Sequence, residues 1–281
     1  MQKRICFRAK AMVITMGADT KALRIRIKSV DSTLHLTKAM GLVASSKIRR
    51  ANEAMIKSRQ YAASFENIME MLTECPECRR SPFMREGGER TKLILIAGDR
   101  GLAGGYNANV FRLAKEYPEA EILPIGKRAC DRYGHESVSS EFFSAADALT
   151  LMNRLCKAFK AGEFDRLGII STRYVSVMTQ EATVQWLLPL QQKTEKRSAG
   201  AVFEPDEETI LNTTVPEYLA GRLIAALRES FASEVAARRM AMDSAGKNAQ
   251  QMIDSLQLSY NRARQGAITQ EITEIVAGTG T

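Results

Sequence analysis

From Leu23 onward, apolar and small residues recur at a fixed step. They fall at Leu23, Ile27, Val30, Leu34, Thr37, Gly41, Ala44, Ile48, Ala51, Met55, Ser58, Ala62, Phe65, Met69 and Leu72. The spacing alternates four and three without a break. A repeat of 3.5 residues is the seam of a left-handed helical supercoil. Flanking positions carry charge (Arg24, Arg26, Lys28, Lys47, Arg49, Arg50, Lys57 and Arg59), and proline is absent until Pro76. The pattern predicts one helix over 17–74, starting after Asp19-Thr20 and about 75–80 Å long at 1.5 Å per residue. Helices inside compact domains average about three turns. One this long has to extend beyond its domain and pair with something.

The other end of the chain supplies the partner. After Asn212-Thr213-Thr214-Val215-Pro216, a second proline-free stretch runs from Glu217 to Val276. Proline suits the first turn of a helix, so the pattern predicts a C-terminal helix over 213–281. Its seam candidates are Ala220, Ile224, Leu227, Phe231 and Val235, then Ala249, Ile253, Leu256, Tyr260, Ala263 and Ala267. Ile268, Ile272 and Ile275 shift phase, so pairing is expected to be less regular there. The many alanines and Gly246 permit close approach of two helices.

Between the two helices the pattern changes. Residues 75–90 read as a loop and 91–212 as an α/β domain. Lys92–Ala97 and Glu121–Ile125 read as strands, as do Arg166–Ser171 and Tyr174–Met178. Asn107–Tyr117 and the amphipathic Ala145–Lys160 read as helices, and Gln191–Gly200 as a loop. Strands alternating with helices imply a partly parallel sheet. The fold class is therefore α/β plus long α: an antiparallel two-helix coiled coil of the N- and C-terminal helices, with an inserted Rossmann-like α/β domain. The expected form is a rod projecting from a small globular foot. Residues 1–16 read as a basic extension, disordered or ahead of a true start at Met16. Its apolar patch, Ala11–Ile14, is too short for a secretory core.

Composition narrows the chemistry. The 281 residues carry a net charge of +8, which allows an acidic protein surface, an anionic lipid or a nucleic acid as partner without choosing among them. No run approaches the ~18 uncharged apolar residues of a membrane span. Five cysteines without a secretory signal read as reduced thiols.

Two segments could carry a site. Gly98-Asp-Arg-Gly-Leu-Ala-Gly-Gly-Tyr-Asn107 lies between a strand and a helix, where glycines would let a phosphate approach. It matches neither dinucleotide nor P-loop spacing, and no Lys follows its last Gly. Its plainer role is a tight turn. The alternative function is a nucleotide-binding α/β protein with helical arms. Cys75-x-x-Cys78 is half of a four-ligand zinc site at most; the other readings are a redox pair or two loop thiols. With two histidines and no nucleophile motif, no catalytic residue, metal ligand or cofactor site is assigned. The cluster Lys47, Arg49 and Arg50 reads as a solvated helix face or an acidic-protein contact. Nucleic acid comes third, lacking an aromatic platform.

Three stretches resemble the gamma subunit of the F-type proton-translocating ATP synthase. The first is Ile25-Arg-Ile-Lys-Ser-Val30 with Thr37-Lys-Ala-Met-Gly-Leu-Val-Ala-Ser-Ser-Lys-Ile-Arg-Arg-Ala51 and Ser58-Arg-Gln-Tyr-Ala62. The second is Asp99-Arg-Gly-Leu-Ala-Gly-Gly-Tyr-Asn107. The third is Ala241-Met-Asp-Ser-Ala245 with Tyr260-Asn-Arg-Ala-Arg-Gln-Gly-Ala-Ile-Thr-Gln-Glu-Ile-Thr-Glu-Ile-Val276. The resemblance runs from about Met16 to the C-terminus. It implies a non-catalytic rotor shaft that couples proton flow through the membrane ring to the cycling of catalytic beta subunits. Implied partners are three alpha and three beta subunits, the epsilon subunit and the c-ring of the membrane sector, with no nucleic acid. The implied location is the cytoplasmic face of a bacterial plasma membrane, held peripherally.

By the same resemblance, Met40, Lys47, Arg49, Arg50, Arg238, Arg264, Gln265 and Thr269 fall on faces that meet the alpha/beta ring. Phe203-Glu204-Pro205-Asp206 falls on a foot segment near the membrane ring. Gly41 departs from the family's usual charged or polar residue, and glycine weakens a helix by about 1 kcal/mol relative to alanine. Ala103 replaces a usual cysteine. The two-cysteine insert of chloroplast gammas has no counterpart between Lys160 and Pro216.

Overall fold

The computed structural model describes residues 2–75, 77–85, 87–191, 204 and 206–279. Two units are distinguished: residues 1–42 with 242–281, and residues 43–241. The chain begins with α1 (Gln2–Glu74) and ends with α5 (Glu207–Thr279). Between them come β1 (Thr91–Ile96), α2 (Tyr106–Ala114), β2 (Glu121–Ile125), α3 (Lys127–Tyr133), α4 (Ala145–Lys160), β3 (Arg166–Tyr174) and β4 (Gln180–Leu188).

The α1 seam is visible in the burial of its side chains. All fifteen positions from Leu23 to Leu72 are buried or half-buried, while the off-seam Ile25, Leu36, Leu42 and Ile56 are exposed. In the first unit, Leu34 packs with Ala249 and Ile253, with Val30 against them. The Arg24 guanidinium donates to the Tyr260 hydroxyl at 3.1 Å. Gly246 lies against Thr37 and Leu34, and Gly41 against Met242. Partner numbers fall on α5 as they rise on α1, so the helices of this unit run antiparallel. Ile268, Ile272 and Ile275 are exposed, in keeping with their shifted phase.

In the second unit, Ala51 and Met55 of α1 pack with Ala232 of α5. The α5 stretch from Leu211 to Leu227 does more than pair with α1. Leu211, Val215, Leu219, Leu223 and Leu227 share one core with Ile94, Ile96, Ile169 and the α4 residues Met152, Leu155 and Phe159. The sheet has the order β2-β1-β3-β4. β1 lies parallel to β2 and β3, and β3 pairs antiparallel with β4. A second core on the other face joins Leu93, Leu95 and Ile170 to Val110 and Ala114 of α2 and Ala129 of α3. α4 starts on a full capping box: the Ser144 hydroxyl accepts from the Asp147 N–H, and the Asp147 carboxylate accepts from the Ser144 N–H.

Several expectations need correction. The backbone is helical from Gln2, so α1 does not begin at Asp19-Thr20. α5 begins at Glu207, and Pro216 lies within it. Proline inside a helix forfeits a hydrogen bond and strains the preceding turn. The helix nevertheless continues because Leu211, Val215 and Leu219 are fully buried around that point. Its start is capped by Asp206, whose carboxylate accepts from the Thr209 N–H at 2.8 Å. Glu207 and Glu208 in the first turn complement the helix dipole. Tyr174–Met178 is not a strand; β3 continues to Tyr174 and turns back through Ser176 and Thr179 into β4. Val175 and Met178 are exposed at that tip. The 75–90 loop holds two short 3-10 turns, and its Phe83 and Cys78 are buried in the main core. The loop expected over 191–200 lies, beyond Gln191, outside the described residues.

Candidate functional site

The C-terminal ends of β1 and β2 turn sharply, and polar side chains hold those turns. The Gly98 N–H donates to the Asn107 side-chain oxygen at 2.9 Å, and the Asn107 amide reaches the Arg100 carbonyl at 3.4 Å. Asn107 therefore closes the glycine-rich loop onto the start of α2. Gly126 has φ +102°, and a Cβ there would collide with the Ala97 carbonyl oxygen. Only glycine permits that approach between the two strand ends.

Asp99 is the hub of the loop. Its carboxylate accepts from the backbone N–H of Lys127 (3.1 Å), Ser140 (2.9 Å) and Glu141 (3.1 Å), and from the Ser139 hydroxyl (2.5 Å). Burial alone would push this carboxyl up, but the four donors together hold it below the usual carboxylate range. Glu141 extends the network. It accepts from Lys47 of α1 at 3.2 Å, and Arg100 lies 3.8 Å away.

α5 meets the same loop through Glu234 and Arg238, one helical turn apart. The Arg238 guanidinium donates to Glu234 at 2.5 Å and to the Gly101 carbonyl at 3.2 Å. Their side chains are 13% and 5% exposed. Burial raises the Glu234 carboxyl above its ordinary value; Arg238 offsets part of that, while Asp99 and Glu141 add to it. Gly98 makes room for this carboxyl, since a Cβ there would lie 2.7 Å from Glu234 Cδ. Nearby, burial and the Glu234 charge push the Tyr106 phenol upward. Ser230 and Ser233 clasp Thr172 at the end of β3, by accepting from its N–H (3.1 Å) and donating to its carbonyl (3.3 Å). Glu229 accepts from both the Tyr174 N–H (2.9 Å) and Arg59 of α1 (2.7 Å).

This arrangement fixes helices to a loop. The carboxylates of Asp99, Glu141 and Glu234 are met by backbone N–H donors, Lys47 and Arg238, and Asn107 holds the Gly98 N–H. The chemistry available is mechanical linkage through charge-assisted hydrogen bonds.

The residues singled out in the sequence fall into distinct settings. Lys47 and Arg238 belong to this polar network. Arg238 is turned inward, which leaves little of it for an outside contact. Arg49 and Arg50 are exposed, with Arg49 3.9 Å from Glu53. Met40 is half-buried in the first unit. Arg264, Gln265 and Thr269 are exposed on α5, and the Thr269 hydroxyl donates to the Gln265 carbonyl at 2.9 Å. Glu204 is exposed and Asp206 caps α5, while Phe203 and Pro205 lie outside the described residues. Sequence reasoning missed the carboxylates Asp99, Glu141, Glu229 and Glu234. Only Glu234 carried a signal, its four-residue spacing from Arg238.

Comparison with known proteins gives a consistent picture. A family model described as ATP synthase matches residues 19–281. The ATP synthase gamma chain of Ruminococcus albus is 40% identical over 279 residues, covering 92% of this chain and 96% of that one. The gamma chain of Moorella thermoacetica is 39% identical over 277 residues, covering 93% and 98%. Among solved structures, the fold is similar to a chain of the Euglena gracilis mitochondrial ATP synthase OSCP/F1/c-ring assembly. The TM-score is 0.64 at 18% identity, with 94% of each chain covered. A chain of the same organism's rotor gives a TM-score of 0.62 at 16% identity, covering 90% of this chain and 99% of that one. With the match running from residue 19 to the C-terminus, the chain belongs to the ATP synthase gamma-chain family.

Proposed function

We propose that this chain is the central-stalk rotor of an F-type ATP synthase. In this reading it has no active site of its own and couples proton flow through a membrane ring to the cycling of catalytic beta subunits. The observation that carries the reading is the 4-3 seam of α1, met by α5 side chains within each unit. Small and apolar side chains are buried or half-buried along one stripe of α1 from Leu23 to Leu72, and α5 supplies Ala232, Ala249 and Ile253 against it, while off-seam residues such as Ile25, Leu36 and Leu42 are exposed. A paired-helix coiled coil resists twist better than a single helix, and its outer face is left for partners. The Asp99–Glu141 network and the Glu234–Arg238 pair supply what a shaft also needs, a rigid attachment between helices and α/β domain.

In this reading the outer face turns within a ring of three alpha and three beta subunits. Met40, Lys47, Arg49, Arg50, Arg264, Gln265 and Thr269 supply side-to-side differences that favour one beta conformation over another by differential contact. Arg238 acts there mainly through the loop it holds. The α/β domain and the segment Phe203–Asp206 engage the c-ring and the epsilon subunit. No described helix is long and apolar enough to cross a membrane, and the reading assigns a peripheral position on the cytoplasmic face of a bacterial membrane.

The test is reconstitution of the complete complex in proteoliposomes, with wild-type chain, with R264A/Q265A/T269A, and with the chain ended before Tyr260. Both altered forms are expected to assemble and to lose most proton-driven ATP synthesis. Full synthesis by the truncated form would overturn the reading. So would mass spectrometry of the purified complex without alpha and beta chains at three copies per copy of this one.

A further inference from the structure

Away from the glycine-rich loop, the β3–β4 hairpin and the two long helices enclose an open groove. Its walls are Arg59 of α1, Glu229 of α5, Arg173, Tyr174 and Val175 at the end of β3, and Gln185 of β4. The volume is about 470 Å³, comparable to the ~300–1,000 Å³ of clefts that hold small ligands. Strand alternation explains the grouping. Arg173 lies four residues after Ile169, and Gln185 is the cross-strand partner of Ile169. Both therefore share the face on which Ile169 packs against α5.

The two arginines differ in setting. The Glu229 carboxylate, 12% exposed, accepts from Arg59 at 2.7 Å and from the Tyr174 N–H at 2.9 Å. Arg59 also donates to the Tyr174 carbonyl at 3.3 Å. It is thereby held in place while remaining 45% exposed. Arg173 is exposed and forms no ion pair among the described residues, although Glu181 stands opposite it in the hairpin. Glu229 balances Arg59, so the groove carries one cation in excess. One carboxylate balances that charge, and a guanidinium offers it two parallel N–H donors. The Gln185 amide is a third donor on the same wall.

The rim of the groove decides what bears the carboxylate. Val175 and Met178 are 48% and 79% exposed at the hairpin tip. The tip is closed by the Val175 and Ser176 N–H groups, which donate to the Thr179 carbonyl at 3.3 and 3.0 Å. A small free acid would leave both apolar side chains in water, whereas a polypeptide lying across the tip would cover them. Met, Tyr and Arg are also the side chains enriched where protein surfaces meet.

We propose that this groove binds an Asp or Glu side chain of another polypeptide, whose flanking apolar residues cover Val175 and Met178. Arg173 is the main charge partner, and Arg59, pre-set by Glu229, is the second. Only the assembly of this chain into a complex is taken from the stalk reading.

The test compares the full chain alone with the purified complex. Phenylglyoxal marks accessible arginines and dilute hydrogen peroxide accessible methionines, both read as peptide masses. Arg173 and Met178 are expected to react in the chain alone and to be protected together in the complex. In a complex carrying R173K, a carbodiimide should join the introduced amine to an Asp or Glu of another subunit. Equal modification of Arg173 in both samples overturns the proposal. So does protection of Arg173 with Met178 still oxidised, the signature of a small acid in the groove. So does an R173K complex with no crosslink beyond Glu181 and Glu229 of the same chain. Should R173K fail to assemble, protection in the wild-type complex decides. A complex that holds alpha and beta chains yet leaves Arg173 open sinks this proposal and leaves the stalk reading standing.

Discussion

Removing the Arg238 guanidinium tests whether the loop attachment is electrostatic. In R238M the apolar stem is kept, but Glu234 loses its only described cation partner within ion-pair distance, 2.5 Å away. The Glu234 side chain is 5% exposed, so water cannot take over. Breaking a buried pair by removing one partner costs about 3–5 kcal/mol. R238M is therefore expected to lose about that much stability in urea unfolding at pH 7.5. The pH dependence follows from the direction of the Glu234 shift. Its folded carboxyl titrates above its unfolded value, so its contribution is present below the unfolded value and is lost as pH rises through the folded one. Without Arg238, burial, Asp99 and Glu141 all push the carboxyl further up. The R238M deficit should then shrink on going from pH 7.5 to pH 5, as Glu234 takes a proton. The double variant E234Q/R238M, with no charge to bury, should recover most of the loss at pH 7.5. A deficit under about 1 kcal/mol, independent of pH and unchanged in the double variant, would refute the argument.

Asp99 should behave in the opposite sense. Its folded carboxyl lies below the ordinary value, so its contribution is present above the unfolded value and is lost as pH falls through the folded one; D99N should flatten the acid limb of a stability-versus-pH profile. On α1, L34A should lower stability by about 2–5 kcal/mol. L36A, two residues away, should change it by under about 0.5 kcal/mol. The native exposures are 5% and 59%, and thermal melts of the two variants make the comparison. Gly41 offers a gain: a Cβ there would sit 3.7 Å from Met242 Cβ, an ordinary contact. G41A should therefore raise stability by about 0.5–1 kcal/mol through helix propensity, read as a higher melting temperature. S144A, which loses the side-chain half of the α4 capping box, should cost about 1 kcal/mol in urea unfolding.

How much of this was legible in the sequence depends on whether a feature is periodic. The 4-3 seam announced α1, because one stripe must be buried for so long a helix to persist, and every seam residue is indeed shielded. Glu121–Ile125 and Ala145–Lys160 were legible in the same way, one as a short β-rich run and the other as an amphipathic stripe. The β3–β4 hairpin was not. Val175 and Met178 look like strand residues, but pairing across the turn puts them at its tip. The start of α5 was also misread. Pro216 is a local stop signal, and burial of Leu211, Val215 and Leu219 against the sheet outweighs it. Asp206-Glu207-Glu208 was the cap to read.

The sequence by itself determined the two long helices, the α/β character of the segment between them and the family. These rest on local repeats and on motifs contiguous in the chain. Tertiary structure alone decided the inward use of Arg238, the meeting of Asp99 with Ser139, Ser140 and Glu141, and the reach of Lys47 to Glu141. These contacts join residues 40 to 137 positions apart. A carboxylate is placed there by the cost of burying its charge unpaired, and that cost exists only once the chain has folded.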